Sequence, residues 1–310
     1  MVISRIQHKK RLHKFKSGKQ NTTPGRKVFN IINAVLLIGL AFTMVYPMYY
    51  ILILSLNDGA DALKGGIWLF PRVFTLDNYR QVFANSNLVT AFFVSVVRTV
   101  VGTVLSVILI AMMAYALARK ELPGRRALNK FFFFTTIFSG GVIPTLSLLN
   151  KLDLLDNPLV YILPAIYSFY NMLLVRTSFE STPVALREAA LMDGVSEWKI
   201  FWKVYMPLNK PVLATVALFT AVFHWNDWFA GSYYITTDWM KPAATILQEM
   251  LQEALGNLNN ASATGGAAIT TTAQTLQMAF VVVITFPILV IYPFLQKYFT
   301  KGAVLGSVKE

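Results

Sequence analysis

The sequence has no cysteine, and only 14% of its 310 residues are charged. Without Cys, disulfides and thiolate metal sites are excluded and the redox compartment is left unspecified. Soluble globular chains carry about a quarter charged residues. The deficit, with 55% hydrophobic residues gathered into long blocks, places the chain among membrane proteins. There is no GxxxxGK[ST] phosphate loop, so ATP hydrolysis by this chain in the usual way is not expected. His224 is the single histidine in an apolar block, with no HExxH and no His/Cys cluster beside it, and His8 and His13 lie in a basic tail. Neither a metal site nor a Ser-His-Asp arrangement is indicated. No cleavable signal peptide is expected, because the apolar stretch after the basic first 27 residues is too long for a signal h-region.

What is present is a series of apolar stretches, each long enough for the roughly 20 residues that cross a bilayer core. Six qualify: 28–56, 89–118, 128–149, 159–179, 208–234 and 274–299. The third is interrupted by Ser139, Gly140, Gly141 and Pro144, which leaves a re-entrant hairpin as the alternative. With the N-terminus inside, the inner segments hold 22 of the 28 Lys and Arg residues and the outer segments hold five. Cytoplasmic loops carry such an excess, so both termini are expected in the cytoplasm. The net charge of +13 is then a topology signal and an attraction to anionic lipid, not a nucleic-acid footprint. The expected architecture is all-α: a basic tail over 1–27, a six-helix membrane domain over 28–300 and a short cytoplasmic tail over 301–310. The Gly-, Ala- and Thr-rich outer loop 235–273 is expected to be flexible, with a short helix near 243–255.

The segment STPVALREAALMDGVSEWKIFWKVYMPLNKP at 181–211 is the most informative. Thr182 is a candidate N-cap, with Pro183 at the first helical position. A short helix is predicted from Pro183 to Asp193, ended by Gly194 in the left-handed conformation. Ser196 is placed to cap a second helix that runs to about Met206 and stops before Pro207. On it Trp198, Phe201, Trp202 and Tyr205 share one face, which either docks a partner or packs under the bundle.

These residues resemble the EAA signature of permease subunits of bacterial ABC importers: EAA, three residues, Gly, nine residues, then I-x-L-P. Glu188, Ala189, Ala190, Gly194 and Pro207 match, while Val204 and Met206 replace Ile and Leu with apolar residues of similar bulk. The resemblance implies a type I importer transmembrane domain, with 181–207 as the coupling loop seated in a cleft of a separate ATPase. Ala189 and Ala190 permit close approach there, Glu188 can pair with a basic group, and Asp193 precedes the bend. FPRVFTLDNYRQVF at 70–83, AYALARKELPGR at 114–125, FSGGVIPTLSLLNKLDLLDN at 138–157 and QKYFTKGAVLGSVKE at 296–310 narrow the resemblance. They point to the carbohydrate-uptake branch, the maltose-type small permease, and its complex-polysaccharide/lipoprotein subgroup. That membership implies a bacterial inner-membrane protein that is not itself an enzyme. Its implied partners are a second homologous permease, two ATPase subunits that bind ATP and Mg, and an extracytoplasmic solute-binding protein. The implied substrate is an oligosaccharide cut from plant or algal polymers, neutral or acidic.

Polarity within the spans marks candidate pathway residues. Asp227 and Asn226 have the chemistry to bond sugar hydroxyls, and Trp225 and Trp228 offer flat faces for pyranose rings. Alternatively, the Trp residues belong to an interfacial belt and Asp227 pairs with Arg98. Tyr167, Tyr170 and Asn171 are further candidates, although Asn171 equally suits a bond to a neighbouring helix. Arg98 either meets a uronate or is used internally, and Arg176 with Glu180 is expected to form an i,i+4 ion pair. The rival readings are an ion-coupled secondary transporter, a membrane enzyme or assembly factor, and an importer permease for a non-sugar solute.

Overall fold

The computed structural model describes residues 24–62, 64–264 and 271–305, with side chains described over 24–62, 64–253 and 274–291. Most of the basic N-terminal tail, the Gly-rich 265–270 stretch and residues 306–310 therefore lie outside the described residues. The described chain is helical, and its only β feature is one isolated bridge between Asn57 and Phe74. Two compact units are distinguished, Met1–Ile51 and Leu52–Glu310. In the first, helix α1 (Pro24–Ser55) begins and carries apolar side chains on every face. A helix apolar all round belongs in lipid or in a protein core. Pro47 removes one backbone donor from its interior.

In the second unit, α1 ends at Ser55 and a short connection leads through a one-turn helix (Gly59–Ala62) to α2 (Asp77–Ala84). The Thr75/Asn78/Tyr79 pattern acts here as a clasp. The Asn78 amide donates to the Ser55 and Asn57 carbonyls at 3.0 and 2.9 Å, the Tyr79 and Ser55 hydroxyls lie 2.6 Å apart, and the Thr75 hydroxyl accepts the Asp77 amide. The Asn78 carbonyl oxygen accepts from Thr275, 197 residues away. Helix α3 (Ser86–Ala118) follows, its start capped by the Asn85 side chain. Its buried face is a row of mostly small residues: Ala91, Ser95, Gly102, Ser106, Ala111 and Ala114. That row lets α9 (Lys210–Asn226) approach closely, and α6 (Phe169–Glu180) packs beside it. At the crossing, a Cβ added to Gly102 would lie 2.5 Å from His224 Nε2.

The span count differs from expectation. Among the described residues three helices are long and apolar enough to cross a membrane, α1, α3 and α12 (Thr271–Leu305), and there are up to five spans if each of two bent pairs counts as one. The expected span 128–149 is split into α4 (Arg125–Ile137) and α5 (Val142–Lys151), bent by 115° at Ser139–Gly141, with Gly141 at φ +81°. The expected span 159–179 is not one helix. It comprises a 3-10 turn (Pro158–Tyr161), an irregular stretch and then α6. The 12 residues of α6 rise only about 18 Å, short of a hydrocarbon core of about 30 Å. The expected span 208–234 breaks at Asp227 into α9 and α10 (Phe229–Tyr234). The short helix expected at 243–255 is longer, as α11 (Ala243–Thr264).

Asp156, within the LDLLDN segment, is one of two described non-glycine residues with positive φ. Its carboxylate accepts the Thr236 and Thr237 amides at 3.0 and 2.9 Å and the Thr237 hydroxyl at 2.6 Å. Asn157 next to it caps the 3-10 turn through Leu159.

Two outcomes follow from this packing. Gly102→Val is expected to push α3 from α9 and cost about 1–3 kcal/mol, seen as a lower melting temperature in detergent; an unchanged value would mean that the contact is not held. The Thr237 hydroxyl and amide, with the Thr236 amide, hold the Asp156 carboxyl below its usual range despite some desolvation. A lowered folded value means that the Asp156 bonds to Thr236 and Thr237 are complete above the ordinary aspartate pKa of about 3.9 and are lost as pH falls through the lowered one. Amide exchange at Thr236 and Thr237, corrected for intrinsic rates, should stay slow at pH 4 or so and rise below it. A rise that begins near neutrality would contradict this.

Candidate functional site

The loop around the EAA segment is built as two short helices on a rigid root. Helix α7 (Val184–Met192) ends where the Gly194 amide donates to the Leu191 carbonyl and the Val195 amide to Ala190, both at 3.0 Å. This pair of bonds is the Schellman closure, and it requires Gly194 at its observed φ of +74°. Glu188, Ala189, Asp193 and Gly194 are exposed, Ala190 is half-buried against the core, and Met192 at the tip is 88% exposed. The expected cap is corrected. Pro183 occupies the N-cap position with no side-chain bond, because Thr182 is buried and engaged elsewhere. Its hydroxyl accepts from the Asn209 amide at 3.2 Å. Ser196 does stand at the next N-cap but makes no capping bond.

The second helix, α8 (Glu197–Leu208), does not stop before Pro207. It opens into a π turn over Phe201–Tyr205 and then runs through the exposed Pro207 to Leu208. Proline lacks an N–H, and the wide turn re-registers the ladder just ahead of it, with the Met206 amide bonding Phe201. The chain then bends by 84° into α9. Buried Asn209 holds that corner, donating to Tyr205 and accepting from Ser178. The aromatic stripe divides: Phe201 and Tyr205 are buried, while Trp198 and Trp202 are exposed.

A cluster invisible to the sequence reading fixes this loop to α3. Glu197 accepts from Arg187 Nε at 2.9 Å, from Arg187 Nη2 and from the Tyr115 hydroxyl. Arg119 lies over the Tyr115 and Tyr205 rings at 4.2 and 5.0 Å. Tyr115 in turn meets Phe179, Phe201 and Tyr205 edge-on. Burial pushes the Glu197 carboxyl up, but the Arg187 and Tyr115 bonds with the Arg119 charge outweigh it and hold it below the usual range. Ten residues and a bend separate Arg187 from Glu197, and 82 separate Tyr115 from it, so no local spacing announces the group. The expected Arg176–Glu180 pair is present at 2.9 Å, and Arg125 joins it.

The Trp-Asn-Asp-Trp group does not form one site. Trp225 is buried among Val82, Leu88, Phe280 and Ile284, edge-on to Phe92. Asn226 is exposed and its amide turns back to the Val222 carbonyl. Trp228 is half-buried and its carbonyl accepts from Thr245. Asp227 pairs with Arg98: Nη2 meets the carboxylate, and Nη1 donates to the Asp227 carbonyl at 2.9 Å. Tyr161 covers the guanidinium at 4.4 Å. The other Asp227 oxygen accepts the Phe229 and Ala230 amides and starts α10. The internal-pair alternative for Arg98 is therefore the observed one.

Tyr167 and Asn171, by contrast, are brought together. They line a cavity of about 350 Å³ with Ser106, Ser168, Phe219 and Thr220. Asn171 reaches Thr220 at 3.5 Å, so its helix-bonding role is also present. Tyr170 is exposed and does not line this cavity. No group of three or more His, Cys, Asp or Glu side chains suited to a metal occurs among the described residues.

The ion pair gives a direct test. Asp227→Asn leaves a buried guanidinium uncompensated and is expected to cost about 3–5 kcal/mol, whereas Arg98→Met with Asp227→Asn recovers much of it. A double-mutant cycle in melting temperature reads the coupling, and additive losses would deny the pairing.

Comparison with known proteins follows the same lines. The family described as binding-protein-dependent transport system inner membrane component matches residues 24–304. The chain is 37% identical over 292 residues to protein LplC of Bacillus subtilis, covering 93% of this chain and 97% of LplC. It is 35% identical over 283 residues to the polygalacturonan/rhamnogalacturonan transport system permease protein YtcP of the same organism, covering 91% and 99%. A chain from the crystal structure of a bacterial ABC transporter involved in import of the acidic polysaccharide alginate superposes with a TM-score of 0.82 at 32% identity. That match covers 89% of this chain and 98% of the other.

Proposed function

This chain belongs to the binding-protein-dependent transport inner membrane components, and from that membership we propose that it is one of two homologous permeases of an oligosaccharide importer. In this reading it lies in the bacterial cytoplasmic membrane with both termini inside. Six crossings are made: α1, α3, α4 with α5, residues 158–180, α9 with α10, and α12. The loop 181–207 seats in a cleft of one of two ATPase subunits, which bind ATP and Mg, and a solute-binding protein delivers the sugar from outside. Fragments of plant or algal polysaccharides, neutral or acidic, are the proposed cargo. The relative named for polygalacturonan/rhamnogalacturonan transport and the alginate importer support that class.

The observation that carries the coupling role is the loop's combination of a free tip and a fixed root. Glu188, Ala189 and Met192 project outward, while Arg187 on the same helix is bonded through Glu197 to Tyr115 on α3. A push on α7 is thus applied to α3 as well as to α8. ATP binding would close the ATPase dimer and turn the path outward, and hydrolysis would return it inward.

The test is ATPase activity of the reconstituted complex with and without sugar-loaded binding protein. Wild type should be stimulated. Gly194→Val forces a branched residue into positive φ, which costs roughly 1–2 kcal/mol, and Glu197→Ala releases the root. Both should lose most of the stimulation while still co-purifying with the ATPase. If wild-type chain neither associates with an ATPase nor alters its turnover, the importer reading fails.

A further inference from the structure

The middle of the α3–α9 pair is left chemically unfinished. Ser106 is fully buried, yet its hydroxyl has no hydrogen-bond partner, and the half-buried Thr103 and Thr99, one and two turns earlier, also have unpartnered hydroxyls. Both ring nitrogens of buried His224, packed against Gly102 between these hydroxyls, are likewise unpartnered. Buried polar groups are nearly always satisfied, so the Ser106 hydroxyl, which lines a cavity, marks where water or a ligand hydroxyl completes the bonding. The cavity, at about 350 Å³, falls within the 300–1,000 Å³ or so typical of small-molecule sites. Its wall alternates hydroxyl and amide groups from Ser106, Asn171 and Thr220 with the rings of Phe219, Phe223 and Tyr167. Polar groups with flat apolar faces match a pyranose, which presents hydroxyls at its rim and C–H bonds on its faces.

The wall holds no charged side chain. Arg98, the one cation at depth on α3, has a side chain only 2% exposed and is already paired with Asp227. A carboxylate brought here would be desolvated without a partner, which is strongly unfavourable.

We propose that the cavity bounded by Ser106, Tyr167, Asn171 and Thr220 is this chain's own sugar subsite. It takes one uncharged ring unit by its hydroxyls, and any carboxylate of an acidic oligosaccharide is met outside this chain. The proposal rests on the importer reading.

The absence of cysteine makes the experiment clean. Phe223 lines the cavity and is 54% exposed, so Phe223→Cys places a single thiol at its edge with little packing lost. In the assembled complex in lipid vesicles, a hydrophilic methanethiosulfonate reagent should modify it, read by the mass of this chain. Sugar-loaded binding protein with ATP should then slow modification at least fivefold when the load is a neutral di- or trisaccharide. In a second variant, Ser106→Ala should keep the melting temperature, since its hydroxyl bonds nothing, yet raise the apparent KM for neutral sugar about three- to tenfold, the worth of one hydrogen bond.

Modification and neutral-sugar protection, with the KM shift, establish the subsite. A thiol that stays unmodified, or is modified but unprotected while the wild-type complex transports the same sugar, overturns it and leaves the importer reading standing. Protection by uronate oligomers alone overturns its neutral character. A wild-type complex that no neutral or uronate oligosaccharide stimulates overturns the importer reading and the subsite with it.

Discussion

The close approach of α3 to α9 at Gly102 is the constraint from which the other features descend. Between helices in lipid there is no hydrophobic gain to be had, so association relies on packing and polar contacts, which small residues make possible. The Ala, Ser and Gly row of α3 provides that proximity, and His224 fills the space a Cβ at Gly102 would take. From that position groups on α3 reach three neighbouring segments: Arg98 meets Asp227 just past the end of α9, Ser106 shares a cavity with Asn171 and Thr220, and Tyr115 meets Glu197 at the start of α8.

The two ends of α3 are fixed by different physics. At the Arg98 end both charges are largely removed from water, so neither is stable alone and pairing is obligatory. Replacing the pair with apolar residues need not destabilise the fold; what the pair supplies is register, since the guanidinium also bonds the Asp227 backbone and lies against Tyr161. At the Tyr115 end the ionic groups are more exposed, with Glu197 44% accessible, and screening makes each charge worth less. There an aromatic cage carries the load, with Phe179, Phe201 and Tyr205 enclosing Tyr115.

How far the sequence revealed this depended on the range of the interaction. Gly194 was legible because a left-handed terminus is a local requirement, and the all-apolar character of α1 and α3 because it is written in composition. The bends were legible in part. The break at Ser139–Gly141 was visible in its residues, whereas hydropathy over 159–179 does not register that the irregular stretch before Phe169 interrupts it. Thr182 had the right neighbours for an N-cap, yet Asn209, 27 residues on, claimed its hydroxyl. The shared Trp225 and Asp227 site did not form, and the alternative pairing of Asp227 with Arg98 is the one observed. Residues two positions apart at a helix end point to different partners, one into the cluster around Phe280 and the other to Arg98. The Glu197 group involves three segments and no local pattern.

Two firm ends and an unsatisfied middle suit a protein that must let something pass. A path needs contacts good enough to admit a sugar and weak enough to release it, and a charge deep in the wall would hold its counter-ion too well. Arg98 and Asp227 neutralise one another, so on the proposed reading neither presents a free charge to the path, while Ser106, Thr103 and His224 keep bonding capacity that no protein group consumes. On the proposed reading, motion entering through Glu197 reaches the α3 face that carries those groups. The cavity wall would then shift against α9 without breaking a bond there, because in that stretch few side-chain bonds exist to be broken.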